Sequence, residues 1–358
     1  MAILGTDGFD IQDIGDRWVS GFGTWSGANL AGSPRFGASG YSVYQTSTVT
    51  VYYHRMFGEK ATVIVGFAFK NNQSNATGFA LPICSLWGDA RATQHLYIGQ
   101  ATSTNKIEIR RGNWTGTLLA TSATATIPLN TWCYIEVKAT LHDTTGSCEV
   151  RLNGASAVSV SGVDTKNGGT LGTFSSLMIG SQANYGGAAT LSWDDLYICD
   201  NIDGTTLTPS QGAAFNDYLG DVRVRTLLPN AAGSSTQFAT TGSGTNYENV
   251  NDVPPVTTTY NSSGVSGQRD TYNLDNASIA GGDSVLAVVA SNWMLRDNTG
   301  AISAKTAVKS GSTVGYGASN ALTTSRVLYQ DAMALDPATS ATWANAAIDS
   351  LEIGAEVV

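Results

Sequence analysis

Residues 132–154 read Trp-Cys-Tyr-Ile-Glu-Val-Lys-Ala-Thr-Leu-His-Asp-Thr-Thr-Gly-Ser-Cys-Glu-Val-Arg-Leu-Asn-Gly, two alternating segments that flank a turn at 142–146. If Leu141 lies opposite Cys148, one face collects the apolar side chains of both segments: Cys133, Ile135, Val137, Ala139, Leu141, Cys148, Val150 and Leu152. The other face then carries Trp132, Tyr134, Glu136, Lys138, Glu149, Arg151 and Asn153. A slip of one residue would mix the two sets. The pattern predicts an antiparallel sheet with one apolar face.

The composition favours the same class of structure for the whole chain. Of 358 residues, 40 are glycine and only 13% are charged, which suits short strands joined by tight turns and disfavours a helical protein. Strand-like segments separated by glycine turns indicate an all-β sandwich over about the first 200 residues, with the apolar run 61–69 as a central strand. Single cores seldom exceed about 250–300 residues, so the length predicts two domains.

Charge and hydropathy exclude several classes of function. Lys and Arg number 19 against 28 Asp and Glu, so the net charge is 19 − 28 = −9. With no basic run, the chain has little electrostatic means of binding nucleic acid. The start of the chain lacks the pattern of a signal peptide, and the longest apolar run, 285–290, is too short to cross a bilayer. We therefore expect a soluble protein that is neither inserted in a membrane nor exported by the usual route.

The four cysteines do not predict a metal site or a disulfide. Cys84, Cys133, Cys148 and Cys199 show no CxxC or His-rich spacing. Cys133 and Cys148 fall on the apolar face of the hairpin, where a thiol acts as a small hydrophobe. We expect buried thiols.

Two later strands complete a recognisable series. The hairpin is followed by Ile179-Gly180 and by a closing Trp-Asp-Asp-Leu-Tyr strand at 193–197. With these elements, residues 1–203 resemble the concanavalin A-like jelly roll of laminin-G, pentraxin and legume-lectin modules. The resemblance implies a jelly-roll sandwich, and such domains often bind sugars and many use calcium.

The rest of the chain changes character. Residues 204–256 are polar and Gly/Ser/Thr-rich, and we interpret them as a connecting segment with a strand near 221–228, where Val222, Val224 and Leu227 alternate. Residues 257–358 predict a smaller β-sandwich-like domain. In it, 284–296 and 301–309 are expected to pair as a hairpin across the turn at 297–300, and 352–358 to form the closing strand.

Motifs in the second half resemble a tailed-bacteriophage virion family that carries a concanavalin A-like domain in front of such a module. They are Leu219-Gly-Asp-Val-Arg-Val, Leu228-Pro-Asn, Gly267-Gln-Arg-Asp-Thr-Tyr272, Asp336-Pro-Ala-Thr339 with Trp343, and Ile353-Gly-Ala-Glu. The resemblance implies a non-enzymatic structural component of the particle, tail-associated or capsid-decorating. It also implies a virion protein made in the host cytoplasm, whose partners are other virion proteins and further copies of itself in a trimer or ring.

No catalytic constellation is evident along the chain. The histidines are His54, His95 and His142, none stands beside a Ser or Cys in a nucleophile motif, and no GxSxG elbow occurs. A Ser-His-Asp triad assembled only in space stays open. Concanavalin A-like glucanases carry carboxylates at i, i+2 and i+4, and this chain has no such spacing. Glu108, Glu136 and Glu149 are instead expected to form cross-strand ion pairs with Arg110, Lys138 and Arg151.

Two pairs of residues are candidates for binding calcium or a sugar. Asp194 and Asp195 are the candidate calcium ligands, against the alternative that one meets solvent and the other caps a turn or pairs with an Arg. No other cofactor is expected. Trp114 and Tyr185 are the candidate glycan contacts, although packing is the commoner role of an aromatic ring. A glycan-binding adhesin that contacts the host surface and, less favoured, a glycoside hydrolase therefore remain beside the structural function.

Overall fold

The computed structural model describes residues 3–12, 18–22, 30–31, 34–36, 40–46, 51–72, 80–101, 103–181, 189–201 and 215–358. These residues fall into two compact units. The first comprises the described parts of Ile3–Asp203 together with Phe215–Val224, and the second comprises Arg225–Val358. The expected connecting segment, 204–256, is therefore divided between the two units. Residues 221–228 do not form the expected strand, and the next strand begins at Pro229.

The first unit contains two antiparallel sheets, which confirms the predicted all-β sandwich. In the described residues, eight strands form sheet A: β1 (Ile3–Asp7), β3 (Leu30–Ala31), β4 (Ser42–Thr46), β6 (Thr62–Asn71), β11 (Cys133–Thr140), β12 (Gly146–Leu152), β13 (Ala155–Val163) and β15 (Thr190–Asp200). Seven form sheet B: β2 (Val19–Phe22), β5 (Val51–Lys60), β7 (Leu81–Gly88), β8 (Thr93–Gln100), β9 (Lys106–Arg111), β10 (Thr117–Thr126) and β14 (Phe174–Ser181).

Strand order places the predicted central strand where it was expected. Sheet A runs β13-β12-β11-β6-β15-β4-β3, with β1 also paired to β15, and sheet B runs β10-β9-β8-β7-β14-β5-β2. Strand β6 lies between β11 and β15, and the side chains of Val63, Val65, Phe67 and Phe69 enter the core between the sheets. They meet Ile83, Leu86, Leu96, Ile98 and Ile109 from sheet B in one apolar cluster.

The β11–β12 hairpin has the predicted faces with a different register. Cys148 pairs with Ala139 instead of Leu141, a shift of two residues. Because side chains alternate with a period of two, this shift leaves every side chain on its predicted face. Cys133, Ile135, Val137, Ala139 and Leu141 are accordingly all buried in the core.

An extended segment after the jelly roll, Phe215–Val224, belongs to the first unit and is called the strap here. Its backbone N–H groups bond to side chains on the outer face of sheet A: Leu219 N to Tyr197 Oη at 3.1 Å, Gly220 N to Glu136 Oε1 at 2.8 Å, and Val224 N to Asp195 Oδ1 at 2.8 Å. The Arg151 guanidinium lies 3.8 Å from the ring centroid of Tyr218. The strap thus bonds three of its backbone donors to sheet A without becoming a strand.

The second unit is also built of antiparallel strands. Sheet C has the order β16-β19-β25-β21-β22, with β23 paired to β21, and two ribbons pair β17 with β18 and β20 with β24. The bounds are β16 (Pro229–Thr236), β17 (Ala239–Thr241), β18 (Tyr260–Ser262), β19 (Arg269–Leu274), β20 (Val288–Met294), β21 (Ser303–Ser310), β22 (Thr313–Tyr316), β23 (Asn320–Ala321), β24 (Val327–Met333) and β25 (Glu352–Val357). One short α-helix, α1 (Asn345–Ile348), occurs among the described residues, beside two 3-10 helices at Asp89–Arg91 and Glu248–Val250.

The expected hairpin between residues 284–296 and 301–309 is wrong. Strand β20 pairs with β24, whereas β21 pairs with the closing strand β25 and with β22. Both segments contain strands, so the local sequence pattern predicted the strands themselves. Their pairing was not predicted, because β24 and β25 are distant in the sequence. None of the helices in the described ranges has the length and apolar character needed to span a membrane.

Candidate functional site

Polar and aromatic side chains line the outer face of sheet B, which is the face turned away from the core. Leu86, Leu96, Ile98, Ile109 and Leu177 point into the core, so the residues that alternate with them lie on the outer face. One row across five adjacent strands consists of His54, Met178, Ser85, Tyr97 and Arg110. The next row contains Met56, Ser176 and Trp87, and it continues to Gln94 because a bulge in the pairing of β7 with β8 makes Gln94 the partner of Trp87.

A serine and a histidine meet at the centre of these rows. Ser176 Oγ lies 3.1 Å from His54 Nδ1, within hydrogen-bonding distance. Both residues are almost fully buried, Ser176 with 0% and His54 with 2% of its surface exposed. Burial, with a smaller effect from the Arg91 guanidinium, lowers the pKa of His54 to about 4. The imidazole is therefore neutral near pH 7 and has a free lone pair.

Aromatic rings surround the His54 imidazole. The Trp87 ring lies edge-on to it with centroids 5.0 Å apart, and the Tyr52 ring with centroids 5.8 Å apart. Trp87 is half-buried, and its Nε1–H donates to Ser85 Oγ at 2.8 Å. The indole is thus fixed in place with part of its surface open to a ligand.

One side chain of this face has an unused donor. Gln94 is the cross-strand partner of Trp87 and is 8% exposed. Its Nε2 is buried and has no hydrogen-bond partner among the described residues. Since buried polar groups are nearly always bonded, this amide is the group of the outer face that is available to bond with a ligand.

The turn between β7 and β8 carries backbone strain beside the site. Asp89, Ala90 and Arg91 all have positive φ, at 50°, 51° and 78°, a conformation that costs non-glycine residues free energy. The Asp89 carboxylate accepts hydrogen bonds from Leu171 N at 2.8 Å, Thr93 Oγ1 at 2.8 Å and Thr170 Oγ1 at 2.9 Å. These bonds lower the pKa of Asp89 to about 2. They hold the turn in the conformation in which Arg91 influences His54.

A charged pair lies at the far end of the face. The Arg110 guanidinium contacts the Glu108 carboxylate at 2.7 Å, and its Nη1 donates to Gly116 O at 3.1 Å. Gly116 closes the turn that holds Trp114, because its N–H donates to Asn113 O at 2.8 Å. The predicted glycan contact Trp114 is half-buried in this turn. The second predicted contact, Tyr185, lies outside the described residues.

The candidate calcium ligands lie on the other sheet. A bulge in β15 interrupts its pairing with β6 between Asp194 and Tyr197, and Asp195 has a φ of 50°. Arg35 bridges the two carboxylates, because its backbone N donates to Asp194 Oδ2 at 2.8 Å and its Nη1 lies 3.5 Å from Asp195 Oδ2. Burial and the charge of Asp195 raise the pKa of Asp194 to about 7, and burial raises the pKa of Asp195 to about 6.

The Arg35 guanidinium is therefore already the cationic neighbour of Asp195, and Asp194 is bonded to the Arg35 backbone N–H. Within the described ranges, no group of three or more His, Cys, Asp or Glu side chains is placed to hold a metal ion. Calcium binding at Asp194 and Asp195 stays a prediction, and it would require Arg35 to move.

The expected cross-strand ion pairs are wrong in their geometry. Arg110 pairs with Glu108 and Arg151 with Glu149, each within its own strand, and Lys138 contacts Asp217 of the strap. Glu136 is buried and accepts hydrogen bonds from Tyr197 Oη at 2.5 Å and Gly220 N. Its function is to hold the strap, which no pattern around residue 136 indicates.

The remaining candidates have structural environments. The four cysteines are buried free thiols. His142 caps its turn, because Nδ1 accepts from Thr144 N and Thr145 N at 3.0 Å each. His95 Nδ1 accepts from Asn167 N at 3.2 Å, and its ring packs against Phe174 in the core.

The solved structures that are similar to this chain are jelly-roll proteins. No family model and no curated protein matches the chain. An alginate lyase is 10% identical, with a TM-score of 0.35 over 50% of this chain and 85% of its own. An endo-β-1,4-glucuronan lyase from Trichoderma reesei is 15% identical, with a TM-score of 0.32 over 46% and 82%. A carbohydrate esterase from the Shiga toxin-encoding bacteriophage phi24B is 11% identical, with a TM-score of 0.37 over 55% and 97%.

These findings correct the expectation that the chain is not an enzyme, because the solved structures similar to it include alginate and glucuronan lyases. The chain has a jelly-roll sandwich fold. At these identities the likeness concerns the fold alone. Any reaction has to be argued from the side chains of this chain.

Proposed function

We propose that the first unit binds a polysaccharide across the outer face of sheet B and acts on it there. The observation that carries the proposal is the buried Gln94 Nε2, which has no hydrogen-bond partner in the part of the chain that the structure describes and lies in one row with the half-buried Trp87 and with Ser176. An amide donor beside a partly exposed indole suits a ligand that offers both hydroxyl oxygens and an apolar C–H face. A sugar ring has both.

The charged end of the face extends the same proposal. Glu108 and Arg110 retain 13% and 21% side-chain exposure, and together they offer a sugar both acceptors and donors. Trp114 stays a candidate contact because its turn is tied to Arg110. A chain of sugars could then run from Trp87, past Tyr97, to Glu108 and Arg110.

Binding is tested with the purified full-length protein on an array of bacterial capsular polysaccharides and lipopolysaccharides. Affinity electrophoresis in gels that contain the retained polysaccharide then gives relative affinities. Trp87→Ala is expected to weaken binding by about tenfold or more, since lost stacking and burial amount to about 1.4 kcal/mol. The matched control is Trp132→Ala, which changes a half-buried tryptophan that immediately precedes β11 and lies next to Lys70.

Two results would overturn the binding proposal. One is that no polysaccharide is retained by the unmodified chain. The other is that Trp87→Ala and Trp132→Ala change the affinity equally, because the outer face of sheet B would then make no specific contribution.

We also propose that the protein works as part of a tailed-phage particle, tail-associated or capsid-decorating, where it contacts a host-surface glycan. The support is the resemblance of 219–224, 267–272 and 336–343 to a virion family. Multimers with itself, as a trimer or ring, belong to this proposal. Electron microscopy of particles labelled with antibody against the chain tests its location, and sedimentation tests assembly. Unlabelled particles, or monomers at high concentration with and without particle partners, would contradict it.

A further inference from the structure

We propose that Ser176 and His54 form a nucleophile–base pair that removes a small acyl group from an esterified sugar held on the outer face of sheet B. The inference rests on the proposed function, because it assigns a reaction and a substrate class to the same face. Its starting point is the distance of 3.1 Å between Ser176 Oγ and His54 Nδ1, which is the geometry of a serine next to its general base.

The protonation state of His54 suits a base. The groups around the ring are Ser176, Met178, Trp87, Tyr52 and, across from β5, Val19 of β2. Among described residues the charged influence on it is Arg91. With the ring proton on Nε2, Nδ1 is free to accept the proton of the Ser176 hydroxyl.

Two further groups near the pair carry an amide donor and a positive charge. Gln94 has an unused amide donor one strand beyond Trp87, and the strained turn holds a positive charge, Arg91, close enough to affect His54. A carbonyl oxygen that becomes an oxyanion needs donors of this kind in a dry site. Backbone strain is often retained where it positions such a group.

The burial of the pair indicates the size of the acyl group. Ser176 is completely shielded, and Met178 and Met56 flank it across β14 and β5. Trp87, the cross-strand neighbour of Ser176, is half-buried and held by its bond to Ser85, so an acyl group that reaches Ser176 beside its indole has to be small, such as an acetyl group. The sugar ring itself would stay on the exposed part of the Trp87 indole.

The proposed reaction requires only Ser176, His54 and one water molecule. Ser176 Oγ forms a bond with the acyl carbon while its proton passes to His54 Nδ1. The bond from the acyl carbon to the sugar oxygen breaks, and His54 returns the proton to that oxygen. Water then attacks the acyl-serine, its proton passes through His54 to Ser176 Oγ, and the carboxylic acid leaves with a free hydroxyl on the sugar.

The test uses the full chain with two probes that do not depend on polysaccharide binding: p-nitrophenyl acetate and a fluorophosphonate that labels activated serines. We expect turnover, and a labelled peptide that contains Ser176. Ser176→Ala should abolish labelling, and His54→Gln should reduce turnover at least about a hundredfold, the usual range for a general base. Ser159→Ala, on an exposed position of β13, is the matched control and should retain the full rate.

The outcomes separate this inference from the proposed function. Polysaccharide binding with no turnover and no labelling at Ser176 overturns the Ser176–His54 reaction and leaves the binding site standing. Turnover that survives Ser176→Ala in a variant with an unchanged unfolding temperature overturns it as well. Release of acid from an O-acetylated polysaccharide that is bound, and only by chains with Ser176, supports both.

Discussion

Gly66 lies directly beneath the ring of Tyr197: a Cβ atom at position 66 would be 2.1 Å from Tyr197 Cε1. The two residues are cross-strand partners on β6 and β15, and Glu136 is the partner of Gly66 on its other side. The missing side chain at 66 lets the Tyr197 ring lie across the sheet, with its hydroxyl bonded to Glu136 Oε1. This arrangement holds the strap.

Gly66→Ala is therefore expected to destabilise the first unit. The methyl group would displace a buried ring, and overpacking of this kind costs about 1–3 kcal/mol. Denaturant unfolding, followed by the fluorescence of the tryptophans, measures the change. Gly172→Ala is the control, because its Cβ would meet no atom within 4 Å and its φ is not in the left-handed region. Equal stability of the two variants would contradict the proposed close approach.

Glu136→Ala should release the strap while the jelly roll stays folded. The change leaves the Gly220 N–H and the Tyr197 hydroxyl without their acceptor, at a cost of about 1–3 kcal/mol for each buried unpaired group. Hydrogen–deuterium exchange at Leu219 and Gly220 should become faster. Asp217→Ala is the control on the same strap, and it removes the solvent-exposed ion pair between Asp217 and Lys138 of β11. It should have little effect on the exchange rates, since such pairs contribute about 0–1 kcal/mol. Slow exchange in Glu136→Ala would show that other contacts hold the strap.

Alternation was sufficient to predict the faces of the sheets but not their pairing. The two-residue difference at Cys148 is invisible to a pattern of period two, so the faces came out right with the wrong register. Strands β20 and β21 were recognised by their β-branched and apolar residues. Their partners β24 and β25 are distant in the sequence. The short turn between β20 and β21 favoured the prediction of a hairpin that does not form.

The candidate site depends on contacts that no local pattern contains. His54 and Ser176 are separated by 122 positions, and neither lies in a nucleophile motif. The alternation of apolar and polar residues in β5 and β14 predicts that His54 and Ser176 point away from the core. That they are neighbours follows only from the strand order, in which β14 lies between β5 and β7. Asp194 and Asp195 were predicted as calcium ligands because they are adjacent carboxylates. Their partner Arg35 lies about 160 positions earlier in the chain, and a contact over that separation cannot be predicted from local spacing.

The Asp194–Asp195 pair should make the stability of the first unit depend on pH. Both carboxyls have folded pKa values raised by burial, to about 7 and about 6, against about 3.9 in the unfolded chain. A raised carboxyl pKa contributes stability that is complete below the unfolded value and is lost as pH rises through the folded values. We expect the free energy of unfolding to fall between about pH 4 and pH 7. Asp194→Asn should flatten this profile in denaturant titrations at several pH values, and a variant that keeps the slope would assign it to other groups.

The pKa of His54 offers a direct measurement of how the strained turn acts on the candidate site. Burial is the larger cause of its low value and Arg91 the smaller one. Arg91→Ala should therefore raise the pKa of His54 by less than about one pH unit, the size expected of a screened charge. Proton NMR of the ring Hε1 signal, assigned with His54→Gln, follows the titration. Asp89→Asn should give a similar rise, because it weakens the bonds that Asp89 accepts from Leu171 N and Thr93 and so frees Arg91 to move. If the pKa stays near 4 in both variants, burial alone accounts for the neutral imidazole, and the turn has no electrostatic effect on Ser176 and His54.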